Sequence, residues 1–139
     1  MSGLTRREAD IFACLVETIC APVSGRPRAS GAHARVAFER VLASAPPLNR
    51  AGLRGLLYAL EVIPRLQGRG ARLRLLAGAE RRAAVGALTG GPGGAALEGL
   101  TALVKLSYWS EPALMRSLGY DADAVVARGR ELRRLEARW

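Results

Sequence analysis

Apolar residues recur at helical spacing along most of the chain. Ile11, Phe12, Leu15, Val16 and Ile19 form the first run, with the i, i+3, i+4 rhythm of an amphipathic helix. Thr5 and Glu8 stand in front of it at capping-box spacing, with Leu4 just outside, and Ala21-Pro22 stops it. Val23 to Gly31 holds Ser, Gly, Pro and two Arg and reads as a loop. Val36, Phe38, Val41 and Leu42 predict a second helix ended by Pro46-Pro47. Asn49 is the expected cap of a third, carrying Leu53, Leu56, Leu57, Leu60 and Ile63 and closed by Pro64. Leu66 to Gly78 is less regular, with a short helix around Leu73, Leu75 and Leu76. Glu80 to Leu88 is an Ala-rich helix, and Gly90-Gly91-Pro92-Gly93-Gly94 is a turn. Ala95 to Tyr108 is the strongest internal segment, with Leu97, Leu100, Leu103, Val104 and Leu106. Ser110 is the expected cap of a short helix with Pro112 in its first turn and Gly119 at its end. Asp121 then caps a last helix striped by Val125, Gly129, Leu132, Leu135 and Trp139.

No repeat or domain boundary interrupts this pattern. The expectation is an all-α fold: a single compact domain, residues 1–139, of about six to eight mostly antiparallel helices. Composition sharpens it. Ala and Leu supply 25 and 21 residues, whereas Val, Ile and Thr together supply 16. Few β-branched residues, and aromatics at 5%, argue against a sheet. No apolar stretch reaches the length of a membrane span, because the uncharged run Ala83–Leu97 is broken by its glycines and proline. Arg6-Arg7 is followed by Glu8, Asp10 and Glu17 instead of an apolar run, so the segment does not read as an export leader.

The chemistry on offer is sparse. Net charge is +9, carried by 20 Arg and one Lys. Such a balance favours a polyanionic partner, but the charge is spread along the chain, and an Arg-rich, Lys-poor composition also arises on any fold from GC-rich coding. Arg128, Arg130, Arg133, Arg134 and Arg138 crowd the last helix. They can form an electrostatic face, or simply favour the negative end of the helix dipole. Aromatics do not interleave with them, which weakens a nucleic-acid reading. His33 is the single imidazole and reads as a solvated or capping residue. Cys14 and Cys20 lie too far apart on one helix to bond and read as small buried side chains in a reducing compartment. With two Cys and one His, no zinc or iron–sulfur site is expected from this chain alone. No catalytic set assembles, so the chain is not expected to be an enzyme by itself.

From Tyr108 the sequence runs Tyr-Trp-Ser-Glu-Pro-Ala-Leu-Met-Arg-Ser-Leu-Gly-Tyr-Asp. This string resembles the "aromatic-aromatic-x-Asp/Glu-Pro, then Leu/Ile-Gly-Tyr" ending of the gluconate 2-dehydrogenase subunit 3 family. The opening, Leu4-Thr5-Arg6-Arg7-Glu8 through Ile19-Cys20-Ala21-Pro22, is similar to that family's start. The resemblance implies a small, cofactor-free helical accessory subunit bound to a larger FAD-dependent oxidoreductase of the glucose–methanol–choline type. The substrate would be an alcohol, a sugar or a steroid-like molecule. Members often carry a twin-arginine leader; its lack here favours a cytoplasmic complex. The expected partner interface comprises Tyr108, Trp109, Met115, Tyr120, Arg130, Arg134 and Trp139, since aromatics, Met and Arg are enriched at interfaces. The alternative is a stand-alone Arg-rich helical protein that binds nucleic acid or acts in regulation.

Overall fold

The computed structural model describes residues 3–20 and 30–136. Among these the chain is all-α, with seven helices, one 3-10 turn and no strand. The first helix, α1 (Arg6–Ile19), starts at the expected capping box. The Thr5 amide donates to Glu8 Oε2 at 2.8 Å, and the Glu8 amide donates to Thr5 Oγ1 at 3.3 Å. Its buried face carries Ile11, Phe12, Leu15 and Val16. Helix α2 (Gly31–Ser44) begins at Ser30, whose hydroxyl accepts the His33 amide at 2.9 Å. Phe38 of α2 stacks on Phe12 with ring centroids 4.5 Å apart, which fastens the first two helices together.

Helix α3 (Pro47–Leu66) departs from expectation at both ends. It starts at Pro47, two residues before Asn49, because proline at the first helical position forfeits no hydrogen bond. Nor does Pro64 close it. That proline falls in the last turn, where the missing amide costs a single bond, and the Gln67 amide still reaches the Ile63 carbonyl at 2.9 Å. After the 3-10 turn at Leu73–Leu75 comes α4 (Gly78–Gly86) and then the glycine run. A Cβ at Gly94 would collide with the Thr89 carbonyl, so the entry into α5 (Gly94–Trp109) requires glycine.

Helix α5 buries Leu97, Leu100, Val104 and Tyr108 and forms its most extensive pairing with α2. Ser110 does not cap the following helix. It closes α5 instead, donating to the Ser107 carbonyl at 2.9 Å. Glu111 occupies the start of α6 (Pro112–Ser117), and Leu114 anchors that short helix in the core. Gly119 ends it at φ +77°. Its amide reaches the Arg116 carbonyl at 2.9 Å and the Tyr120 amide reaches Met115 at 3.0 Å, the paired bonds of a Schellman ending. Asp121 Oδ1 then accepts the Asp123 and Ala124 amides at 3.0 and 3.2 Å and opens α7 (Ala122–Glu136). No residue of α7 is buried, and it packs closely against none of the other helices.

Candidate interaction surface

The residues expected to meet a partner do not share one surface. Tyr108 is only 7% exposed and belongs to the core. It corrects the interface expectation: its position on α5 falls on the same face as Val104 and Leu97, so it braces the corner from inside. The Tyr108 ring meets Trp109 edge to face at 5.3 Å and 85°. Trp109 itself is half-buried. Met115 and Tyr120 line one recess of about 250 Å³ between α6 and α7, together with Ser110, Arg116, Asp121 and Asp123. Arg130 and Arg134 lie further along α7 and are exposed. Trp139 lies outside the described residues.

Behind that recess, two ties join the start of α2 to the α5–α6 corner. His33 Nε2 is 3.1 Å from Ser110 Oγ, and the Ser30 amide donates to Glu111 Oε2 at 2.7 Å. His33, expected as a solvated or capping residue, stands in the first turn of α2 with its ring in an exposed contact to Ser110. Ser110 Oγ also donates to the Ser107 carbonyl at 2.9 Å, so one hydroxyl joins the last turn of α5 to the start of α2.

Both cysteines are buried and free, as expected from their spacing. Burial pushes the Cys20 thiol up, only partly offset by Lys105. Cys14 Sγ is 3.0 Å from Arg81 Nη1, and Arg81 also reaches Glu17 at 3.3 Å. Among the described residues, no group of three or more His, Cys, Asp or Glu is arranged to hold a metal ion. No described helix is long and apolar enough to cross a membrane.

The pattern reading missed a groove of about 870 Å³ between α3 and α5. Its floor and walls include Gly52, Gly55, Ala59, Ala96, Gly99 and Leu103. The signal that could have found it is a second stripe on α3: Leu48, Gly52, Gly55, Ala59, Val62 and Leu66 alternate at intervals of four and three, all exposed. The small residues leave a trough, because nothing lies within 4 Å of a Cβ built at Gly52, Gly55 or Gly99. Comparison with known proteins places no other molecule beside this one: no family model, no curated protein and no solved structure matches the chain.

Proposed function

We propose that this chain is the non-catalytic accessory subunit of a larger FAD-dependent oxidoreductase of the glucose–methanol–choline type, acting on an alcohol, a sugar or a steroid-like substrate. The observation that carries the reading is the Tyr108–Asp121 corner. Its family-like string forms a proline-started, glycine-ended helix, pinned to the core by Leu114 and Tyr108, with Met115 and Tyr120 facing one recess. A corner held this rigidly has little conformational entropy to lose on docking. On this reading the FAD and the chemistry belong to the large subunit. The small one buries apolar surface on it, orders its loops and shifts it toward the folded state by mass action. The complex works in the cytoplasm.

The test is capture of the tagged chain from its native source, followed by flavin absorbance and alcohol-oxidising activity in the captured material. Co-purification of a flavoprotein whose stability falls when this chain is removed supports the reading. A second reading draws on the exposed arginines of α7, of which Arg128, Arg130 and Arg134 have no ion-pair partner among the described residues. It predicts salt-dependent binding of DNA or RNA by the isolated chain. That result, with no flavoprotein captured, would reverse the choice.

A further inference from the structure

The stretch between α3 and α4 is the most one-sided part of the charge distribution. Residues 62–79 contain no acidic side chain, while Arg65, Arg69, Arg72 and Arg74 fall among them. Arg74 is taken up by Glu61 and Asp10. The other three are exposed, and none has an ion-pair partner among the described residues. Capping does not account for them. The carbonyls at the end of α3 are already served by the backbone: the Gln67, Gly68 and Arg69 amides donate to Ile63, Arg65 and Pro64 at 2.9, 3.2 and 3.0 Å. Arg65 stands in the last turn, where a cation favours the helix dipole; Arg69 and Arg72 lie beyond it.

The loop that carries them is held at both ends. Gly68 and Gly70, at φ +78° and +75°, turn the chain back. Leu73 and Leu76 then sink into the core, and the Arg74 amide and guanidinium fasten to Glu61. Because Glu61 lies little more than one turn before Leu66, the loop returns to the end of the molecule from which it left. Two large apolar side chains stand at its edges. Leu66 is 79% exposed and Leu75 76%, the most exposed leucines after Leu48 among the described residues.

We infer that this loop, residues 65–75, is a contact for an anionic lipid surface, with its arginines on the phosphate headgroups and Leu66 and Leu75 in the acyl boundary beneath them. The inference does not depend on the flavoprotein reading. The side chains separate a lipid surface from other acidic partners. Nucleic acid would use the arginines and leave both leucines in water, and no aromatic stands among the arginines to stack on a base. An acidic protein would be gripped by an anchor side chain at the centre of the patch, where this loop has Gln67, Gly68, Gly70 and Ala71. A bilayer interface takes both kinds of side chain at once. Arginine stems lie along apolar surface while the guanidiniums stay at headgroup level, and leucine gains by leaving water. The charge of +9 on the whole chain adds attraction to any surface of negative sign.

The test is co-sedimentation of the full-length chain with vesicles of pure phosphatidylglycerol and of pure phosphatidylcholine. Salt-sensitive binding to the first and little to the second is expected. Arg69→Gln and Arg72→Gln are each expected to weaken it about fivefold, and Leu66→Ser or Leu75→Ser about tenfold. These side chains are exposed in the free protein, so an unchanged melting temperature will show that each variant still folds. Two comparisons keep the loop apart from general charge. Arg130→Gln with Arg134→Gln removes as much charge from α7 and is expected to weaken vesicle binding less than Arg69→Gln with Arg72→Gln. A DNA duplex supplies phosphates without an apolar boundary. Failure to bind phosphatidylglycerol overturns the inference. So does vesicle binding that falls equally with the α7 pair, or that is indifferent to both leucine substitutions, since net charge would then suffice. DNA binding controlled by the loop arginines, with vesicles left unbound, overturns it as well and assigns the loop to nucleic acid.

Discussion

Glu61 has no exposed surface, yet it is a carboxylate in the middle of α3. It is tolerated there because Arg74 folds over it. Arg74 Nε donates to Glu61 Oε1 at 2.8 Å and the Arg74 amide to Oε2 at 3.3 Å. The hydrogen bond to Glu61 raises the basicity of that guanidinium above its usual value. Asp10 adds a longer contact at 3.5 Å. A buried pair of this kind adds little net stability, but removing one partner strands the other. Arg74→Ala strands the fully buried Glu61 carboxylate and is expected to lower unfolding free energy by about 3 kcal/mol, measured by urea denaturation, and to loosen the 3-10 turn at Leu73–Leu75. Cys20 offers a check with pH. Its thiol is raised by burial, so the unfolded chain gives up this proton at lower pH than the folded one. The contribution to stability is whole below the unfolded pKa and is lost as pH rises through the folded value. Alkylation of native protein by iodoacetamide at neutral pH should accordingly be slower at Cys20 than in a denatured control. Equal rates would show the thiol to be unprotected.

Among the elements, the helices that build the core were legible and their joints less so. The α1 pattern, the Thr5–Glu8 box and the Gly119 stop are local signals, each written within a few residues, and each is present in the fold. The start of α2 at Ser30 was hidden because its cap sits in a run of Gly, Pro and Ser that also describes a loop. Pro64 misled because a proline past the first turn costs its own bond to the i−4 carbonyl without forcing the next residues out of the helix, and α3 runs on to Leu66. The α7 stripe was visible as periodicity, but periodicity carries no address: it says that one face is apolar, not what covers it. The groove was illegible for the opposite reason, since it is defined by side chains that glycine does not have. At this scale α7 should behave as an appendage in the monomer. The amides of α7 are expected to exchange with deuterium well before those of α1, α3 and α5, whose buried residues hold them in the core. Equal protection would mean that α7 packs on its own body.

For the whole molecule, the discriminating residue is Trp109, half inside and half outside. On the proposed accessory-subunit reading, Trp109→Ala is expected to weaken association with the flavoprotein by more than about 1 kcal/mol, as loss of an aromatic anchor does. Binding and melting temperature should be read on the same sample, because Trp109 also packs on Tyr108; a lower melting temperature with unchanged affinity assigns it to the core alone. Glu8 carries a different kind of consequence. The carboxylate that completes the first turn of α1 also receives Arg54 of α3, Nη1 to Oε1 at 3.0 Å and to Oε2 at 2.8 Å, while Arg54 Nη2 holds the Gly3 carbonyl at 2.6 Å. The partners are 46 positions apart in the chain. The Glu8 carboxylate has its full set of partners only when α3 lies against α1, so a signal that looks local is shared with a residue far along the chain, and fraying of the first turn and loosening of α3 are expected to go together.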